Sequence, residues 1–410
     1  MRISLDGQEI EAREGDTVAA ALLRAGVTTF TRSIKYHRPR GPFCLAGSCG
    51  QCLMRVDGVP SLPACRVKAE EGMACERQNA PLGAEKDLFR AADFLFSEGL
   101  DHHHLFTGSR VLGRVALEIA RRLAGLGELP GKPRPPGKGE LREVPLAVIG
   151  AGPAGLAAAR AAAEQGVRPL LIERAGAAGG AALLALDSAA PGAAFVAEQE
   201  KALRSQGAEI LFEAPCVGLY ANDTDRKGNA LVVVWRREGL LVAVAERVIV
   251  ATGGASQPLP FPGVDRPGVY AARGLLELHA RCGVRVGDEL AVVGSGRELE
   301  ACAAALGRAG YQVVRSIAAT PRRALGNPVR GLDVDGERIR CDAVALAHPP
   351  APLHDLASSV GATARWDGNG FPVETDAQGR TAVSWLFAAG SVAGKPAIDS
   401  GQAAGRSSCL

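Results

Sequence analysis

The sequence predicts an α/β fold with two Rossmann-like dinucleotide-binding domains, preceded by a small α+β domain of the β-grasp type. Three observations lead to this prediction. Two apolar strands, near residues 146 and 289, each run into a glycine-containing loop and then a helix. Near the start of the chain, short patterns follow the order strand, strand, helix, cysteine-rich loop and strand, which is the β-grasp order.

The overall composition is that of a globular protein with two or three domains. The 410 residues are 47% hydrophobic, and 47 Lys and Arg against 44 Asp and Glu give a formal charge of +3. Such a balance does not favour nucleic acid as a partner. The start, MRISLDGQEIEAREGDT, lacks the apolar segment of a secretory signal. The most apolar stretch is interrupted by Glu246 and Arg247, so we expect no transmembrane segment and a cytoplasmic location.

The first β-grasp elements follow from short-range signals. ISLDGQEIEA predicts two short strands joined by Asp6-Gly7, a favoured two-residue hairpin turn. DTVAAALLRAG predicts a helix with Asp16 or Thr17 as its N-cap and Gly26 as its stop. The cysteine-rich loop comes next in the chain.

Four of the 10 cysteines lie within CLAGSCGQCLMRVDGVPSLPAC, at the spacing C-x4-C-x2-C-x12-C. Clustered thiols in a reducing compartment bind metal or do redox chemistry more often than they form disulfides. The first three follow the plant-type [2Fe–2S] spacing. A structural zinc site usually pairs two C-x2–4-C knuckles, and only one is present. The spacing therefore predicts a [2Fe–2S] cluster, against zinc or plain buried thiols, with these ligands: Cys44, Cys49, Cys52 and Cys65.

The cysteine-rich stretch resembles the [2Fe–2S] domains of succinate dehydrogenase and of small ferredoxin-like subunits. RSIKYHRPRG, residues 32–41, resembles the N-terminal region shared by the sarcosine oxidase alpha subunit and hydrogen cyanide synthase. Its basic side chains fit a solvated loop. They also fit a surface that docks an acidic partner or raises the cluster's potential.

A strand, a glycine loop, a helix and a second strand follow one another in LAVIGAGPAGLAAARAAAEQGVRPLLIE. The glycines of such a loop let a pyrophosphate approach the helix N-terminus, and the acid that ends the second strand accepts from a ribose hydroxyl. The predicted dinucleotide site comprises Gly150, Gly152, Pro153, Ala154, Gly155, Glu173 and Arg174.

Three segments resemble those of flavoprotein disulfide reductases and amine oxidases, which hold FAD. They are the Gly179-Gly180 pair, RVIVATGGASQPLPFPG, and WLFAAGSVAGKPAIDSGQAAGRSS. The last carries Gly390-Ser391 where the family usually has Gly-Asp, but a serine can still hydrogen-bond. The resemblance implies that FAD also contacts Gly180, Thr252, Gly253, Gly390 and Ser391. The C-x2-C of the disulfide reductases is absent beside these segments.

A second glycine pattern lies in ELAVVGSGRELEACAAALGRAGYQVVRS. Gly294 and Gly296 take the first two glycine positions, and Leu299 stands at the third. Arg315 ends the second strand in place of an acid. It suits a 2′-phosphate or another anion, or it is solvated. The pattern predicts NAD(P) or another adenine nucleotide at Gly294 and Gly296.

These features divide the sequence into four parts. The predicted [2Fe–2S] ferredoxin-like domain covers residues 1–85. A helical connector and a Pro/Gly-rich linker cover residues 86–143. The FAD-binding domain covers residues 144–265 and 341–410, and the NAD-like insert covers residues 266–340.

Nearly the whole chain resembles alpha-type subunits of heteromeric amine and amino-acid dehydrogenases, through RSIKYHRPRG, GLDHHHLFTG, AGLGELP, GAGPAG and ATGG…PLPFPG…PGV. This family includes sarcosine oxidase, hydrogen cyanide synthase, and the opine and hydroxyproline dehydrogenases. The resemblance implies that a separate beta-type flavoprotein subunit oxidises the substrate, with FMN at the subunit interface. This chain would then relay electrons through FAD and [2Fe–2S] to an acceptor protein or a quinone, and its complex would be peripheral to the inner membrane.

The residues themselves identify no substrate-oxidising site, so no catalytic residue is predicted. Flavin accepts two electrons and a [2Fe–2S] cluster carries one, which predicts a relay. Two alternatives stay open. One is a self-sufficient NAD(P)H-dependent reductase, and the other is a regulatory or assembly subunit with vestigial sites.

Overall fold

The computed structural model describes residues 1–33, 38–80, 111, 113, 114, 137–184, 186, 192–223 and 227–409. The chain divides into two units, Met1–Pro133 with Pro258–His348, and Arg134–Gln257 with Pro349–Leu410. Three features of the sequence lie outside the described residues. They are residues 34–37 of RSIKYHRPRG, the consecutive histidines 102–104, and most of the predicted connector. No helix within these ranges has the length and apolar character needed to cross a membrane.

The N-terminal domain, residues 1–80, is a five-stranded mixed sheet with one helix. Asp6 and Gly7 form the predicted hairpin turn with φ values of 50° and 83°. The hydroxyl of Thr17 caps the helix by accepting from the Ala20 amide at 3.2 Å, and the chain turns away at Gly26. The strands are Arg2–Leu5, Gln8–Glu11, Leu53–Val56, Val59–Pro63 and Ala74–Arg77, the helix is Val18–Arg24, and Thr31–Arg32 pairs with Pro39–Arg40.

The insert, Pro258–His348, combines a four-stranded parallel sheet with a three-stranded antiparallel sheet. Its parallel strands are Val269–Ala271, Glu289–Gly294, Gln312–Ile317 and Ala343–Ala347. Its antiparallel strands are Arg323–Gly326, Val329–Val334 and Glu337–Arg340, and its helices are Ala272–Cys282 and Gly296–Arg308. The sequence placed its limits at residues 266 and 340. In the structure it spans Pro258–His348. Its C-terminal limit moves because Ala343–Ala347 hydrogen-bonds between two of the parallel strands.

The second unit contains a seven-stranded sheet. Its strands are Lys138–Ile149, Pro169–Ile172, Glu209–Leu211, Cys216–Ala221, Ala230–Arg236, Gly239–Val250 and Leu386–Ala388, and Gly254–Ala255 pairs separately with Ala351–Pro352. Its helices are Pro153–Ala163, Ala193–Ser205, Asp355–Ser358 and Ala397–Ser407, with 3-10 turns at Gly180–Leu184 and Gly390–Ala393. The linker was expected to reach residue 143. Strand pairing instead starts at Lys138, opposite Gly239.

Two helices of the second unit approach each other through glycine. A Cβ on Gly401 would overlap the carbonyl oxygen of Ala154, and a Cβ on Gly405 would overlap that of Ala158. This close packing places the C-terminal helix directly on the helix that follows the first glycine loop. Both helices cover a core whose central strands are fully buried.

The N-terminal domain and the insert share one hydrophobic core. Phe43 and Cys44 pack with buried insert side chains that include Val269 and Leu346. Two polar contacts accompany the core. Arg24, ion-paired with the buried Asp16, donates to the carbonyl of Cys282 at 2.8 Å, and Arg40 lies 3.7 Å from Asp265.

Candidate cofactor sites

The backbone of the cysteine loop, residues 44–52, curls around its own sulfurs. Leu45, Gly47 and Gly50 have φ values of 53°, 77° and 65°, a conformation that glycine adopts without steric cost. The amides of Ala46 and Ser48 donate to Cys44 Sγ at 3.4 and 3.3 Å. Backbone N–H groups directed at a thiolate stabilise its negative charge, as a cluster ligand requires.

The four predicted ligand thiols form one connected set. Hydrogen bonds from the Cys49 and Cys65 thiols lower the pKa of Cys44, and a hydrogen bond from Cys65 lowers the pKa of Cys52. The pKa values of Cys49 and Cys65 are raised, chiefly by the same hydrogen bonds. Cys44 therefore interacts with both Cys49 and Cys65, and Cys65 also interacts with Cys52.

The donor chemistry of this set is that of a [2Fe–2S] cluster, which four cysteine thiolates hold. Cys44, Cys52 and Cys65 are buried and Cys49 is half-buried. Within the described ranges, no three His, Cys, Asp or Glu side chains are placed as a site for a single metal ion. Cys75 lies in the same domain outside this set, and burial raises its pKa to about 11. The residues present therefore fit the [2Fe–2S] group.

The insert contacts the cysteine loop through the start of its Ala272–Cys282 helix. The Ala271 amide donates to the carbonyl of Phe43 at 3.0 Å. A Cβ on Gly274 would overlap the carbonyl oxygen of Cys44 and lie 3.3 Å from Leu45 Cβ. Gly274 thus allows the helix to touch the loop that carries the first ligand.

We expect Gly274→Val to disturb the cluster as well as stability. The added side chain must displace the Cys44 backbone, at a cost of about 1–3 kcal/mol. The measurements are urea unfolding and the electron paramagnetic resonance spectrum of the dithionite-reduced chain, which should show shifted g-values. Gly307→Val, on the neighbouring insert helix, is the control because a Cβ there meets nothing within 4 Å. Unchanged g-values in Gly274→Val would show that this contact does not position the cluster.

The first glycine loop, residues 150–155, has the geometry predicted for a phosphate-binding turn. Gly150 has a φ of 106°, and a Cβ there would overlap the carbonyl oxygen of Ala251. A Cβ on Gly155 would overlap the Gly150 carbonyl, whereas one on Gly152 would meet nothing within 4 Å. The loop is therefore packed tightly on the protein side and open on the other. The helix begins at Pro153, so its N-terminus faces the loop.

The acid at the end of the second strand is held beside this loop. Glu173 Oε2 accepts from the Ala151 amide at 2.8 Å, and Oε1 accepts from the Ala175 amide at 2.7 Å. These bonds fix the carboxylate, and each oxygen keeps a further lone pair for a ribose hydroxyl. Arg174, also predicted for the site, has an exposed side chain.

Three further predicted segments reach the first glycine loop. A Cβ on Gly180 would lie 3.2 Å from Gly152 Cα, and a Cβ on Gly390 would lie 2.7 Å from Ala154 Cβ. Thr252 continues from Ala251, which contacts Gly150, and its hydroxyl donates to the Leu353 carbonyl at 2.8 Å. Two more residues were predicted to contact FAD. Gly253 has a φ of 74°, and the side chain of Ser391 is exposed.

One residue at this site was missed by the sequence reasoning. The Ser400 hydroxyl accepts from the Gly390 amide at 2.9 Å and donates to the Pro396 carbonyl. It thereby fixes the backbone at Gly390, inside the C-terminal segment that is expected to contact FAD. No local pattern marks it, because the serine lies ten residues away on a different element. The gathered segments fit FAD, with the glycine loop for the pyrophosphate and Glu173 for the ribose.

The second glycine loop, residues 294–299, repeats the turn in the insert. A Cβ on Gly294 would overlap the Ala347 carbonyl, and Gly296, with a φ of 54°, faces open space. Leu299 is buried where a third glycine would stand. Arg315 makes a 2.7 Å ion pair with Glu337 and is half exposed, which favours the solvated interpretation of that arginine.

Two family descriptions match separate parts of the chain. Residues 1–80 match the 2Fe-2S iron-sulfur cluster binding domain. Residues 144–330 match the pyridine nucleotide-disulphide oxidoreductase family. The first match covers all four predicted cluster ligands, and the second covers both glycine loops.

Among curated proteins, the chain is similar to sarcosine oxidase subunit alpha of Rhizobium meliloti, at 28% identity over 89% of this chain and 41% of that protein. It is similar to hydrogen cyanide synthase subunit HcnA of Pseudomonas aeruginosa, at 34% identity over 19% of this chain and 75% of that protein. The chain spans less than half the length of the sarcosine oxidase alpha subunits it matches. These matches confirm the resemblance to the sarcosine oxidase alpha subunit and to hydrogen cyanide synthase that was noted in the sequence.

A solved structure, L-proline dehydrogenase from P. horikoshii, shares the fold. The TM-score is 0.73 at 24% identity, over 99% of this chain and 71% of that one. The predicted fold class is thereby confirmed. The chain is therefore similar over most of its length to the sarcosine oxidase alpha subunit, and it is an FAD-dependent oxidoreductase whose N-terminal domain matches the 2Fe-2S iron-sulfur cluster binding domain.

Proposed function

We propose that this chain is the electron-transfer subunit of a cytoplasmic heteromeric amine or amino-acid dehydrogenase. The observation that carries the proposal is that one chain gathers two sets of residues, each suited to a different redox group. Four connected thiols suit a one-electron cluster, and the gathered glycine segments suit FAD. FAD supplies two-electron chemistry when bound, and pairing it with a [2Fe–2S] cluster divides an electron pair into single steps.

Substrate oxidation is assigned to a partner. Beside the first glycine loop, both carboxylate oxygens of Glu173 accept backbone amides. The neighbouring hydroxyls of Thr252 and Ser400 donate to backbone carbonyls. These groups bind and orient, but they do not form the acid–base pair that amine oxidation needs. The curated relatives are themselves described as subunits, which supports a beta-type flavoprotein partner.

The finer features of the proposal concern the other cofactors and the acceptor. FMN would lie at the interface with the partner, and the acceptor would be a protein or a quinone. An adenine nucleotide would occupy the second glycine loop, supported by the packed Gly294 and the open Gly296. This nucleotide would stay bound without turnover.

The second glycine loop also favours one competing function, an NAD(P)H-dependent reductase that needs no partner. Anaerobic visible spectra of the purified full chain distinguish the two. We expect NADH, NADPH and a panel of amino acids, each added alone, to leave the flavin and cluster bands unchanged for minutes, while dithionite bleaches both. Bleaching by NADH or NADPH within seconds would establish the self-sufficient reductase. A chain that stays colourless after reconstitution with iron, sulfide and FAD would indicate vestigial sites.

A further inference from the structure

The cysteine loop has a closed side and an open side. Cys44, Cys52 and Cys65 are at most 4% exposed, and the insert covers the loop at Cys44. Gly47, Ser48 and Gly50 are exposed, and Cys49 is half-buried between them. Among the described residues, the Gly47–Gly50 edge is therefore where a cluster held by these thiols comes nearest to solvent.

Two arginine side chains border this edge. The aliphatic part of Arg66 lies against Gly47, since a Cβ there would be 2.6 Å from Arg66 Cγ. At the other end, Arg40 donates to Gln51 Oε1 at 3.4 Å. Asp265 of the insert lies 3.7 Å from Arg40 and offsets part of its charge. Arg66 has interactions of its own with neighbouring groups.

The surrounding sequence has an excess of positive charge. Residues 38–71 contain five basic side chains and three acidic side chains, Asp57, Glu70 and Glu71, whereas the whole chain is nearly balanced at +3. Asp57 and Arg55 both lie at the hairpin end of strand Leu53–Val56, away from the cysteine loop, which precedes that strand. Arg55 donates to the Gly58 carbonyl and pairs with Glu76, and Glu71 accepts from the amide of Arg2. The basic side chains are Arg38, Arg40, Arg55, Arg66 and Lys68.

We propose that the Gly47–Gly50 edge is the docking surface for an acidic one-electron carrier protein. The inference rests on the proposed relay function and names the partner of its cluster. In each encounter the reduced cluster would lose one electron and the carrier would gain one, with no proton transferred. The basic border attracts a negatively charged surface, while the short exposed edge keeps the transfer distance small.

The test uses two forms of one acceptor that differ in charge. Native cytochrome c is basic, and cytochrome c with succinylated lysines is acidic. Stopped-flow absorbance would follow oxidation of the dithionite-reduced full chain, freed of excess reductant, over a range of salt concentrations. We expect the succinylated acceptor to react about tenfold more slowly at 0.3 M than at 0.02 M salt, because screening removes the attraction. At low salt, native cytochrome c should react more slowly than the succinylated form. Its rate should not fall as the salt concentration rises.

Single substitutions test whether the attraction arises at this edge or from the net charge of the whole chain. Arg66→Gln and Arg40→Gln should each lower the rate of electron transfer to the succinylated acceptor about threefold at low salt. The electron paramagnetic resonance spectrum of the cluster should stay unchanged. Arg2→Gln removes the same charge from the start of strand Arg2–Leu5. Arg2 is a suitable control because it lies far from the cysteine loop along the sheet. Ser4, near Arg2, pairs with Ala74 at one end of strand Ala74–Arg77, whereas Met54, beside the cysteine loop, pairs with Arg77 at the other end.

Three outcomes would overturn the proposal. Rates with the succinylated acceptor that do not depend on salt would rule out electrostatic docking. An equal effect of Arg2→Gln and Arg66→Gln would place the attraction in the net charge and not at this edge. A chain that takes up no iron during reconstitution would refute both the relay and the docking surface, whereas the first two results would leave the relay standing.

Discussion

Replacing Cys52 with alanine should leave the chain without its [2Fe–2S] cluster. Cys52 is 2% exposed, and its thiolate is stabilised by a hydrogen bond from Cys65. Without it, three of the four connected thiols would remain to hold the cluster, and no other cysteine belongs to the connected set. Iron and sulfide should fall from about two per chain to near zero, since a [2Fe–2S] cluster needs four ligands. Iron and sulfide assays of the reconstituted chain give the measurement.

Cys75→Ala is the matched control for this change. Cys75 lies in the same domain, is 1% exposed, and has a pKa raised to about 11 by burial. Its loss creates a small cavity but removes no ligand, so the iron content should stay at the level of the unchanged chain. Equal iron loss in both variants would mean that the cysteine loop fails through unfolding and not through ligand removal.

Gly155→Ala should remove most of the bound flavin. The added Cβ would overlap the carbonyl oxygen of Gly150. Backbone on both sides of the contact leaves no flexible side chain to move away. The glycine loop must then shift from the position that admits the pyrophosphate. We expect FAD content to fall more than tenfold and the free energy of unfolding to fall by about 2 kcal/mol.

Gly139→Ala is the corresponding control, because a Cβ on this glycine of strand Lys138–Ile149 would meet nothing within 4 Å. Its flavin content should match that of the unchanged chain. Absorbance of flavin released on denaturation, together with urea unfolding, measures both effects. A Gly155→Ala chain with full flavin content would show that the dinucleotide does not occupy the first glycine loop.

Local patterns were sufficient to predict the hairpin turn, the helix cap and the first glycine turn. The hairpin at Asp6-Gly7, the cap at Thr17 and the turn at Gly150 each depend on residues within a few positions of one another. Such turns need specific φ values or a hydroxyl at one place, and few residue types supply them. For this reason the sequence showed the positions of the glycine loops and of the cysteine loop.

Contacts between distant segments were not predictable in the same way. The sequence did not show that Ala343–Ala347 joins the sheet of the insert, because an apolar strand carries no mark of its neighbours. It also did not show that Gly274 lies against Cys44, or that Ser400 holds the amide of Gly390. These pairs are far apart in sequence, and their complementarity exists only after folding.

The shared core of the N-terminal domain and the insert changes how the insert is interpreted. From its glycine pattern alone, the insert was expected to bind a nucleotide. The packing of Phe43 and Cys44 into its core shows that it also supports the cysteine loop. The Ala272–Cys282 helix provides this support at both ends, with Gly274 near its start and the Cys282 carbonyl, which accepts from Arg24, at its end.

The central claim is that one chain holds a two-electron and a one-electron redox group. The most direct test is an anaerobic coulometric titration of the reconstituted full chain, followed by visible and electron paramagnetic resonance spectra. We expect the chain to accept about three electrons, two at the flavin and one at the cluster. An uptake of two electrons with no iron–sulfur resonance signal would contradict the account. An uptake of one electron with no flavin absorbance change would contradict it equally.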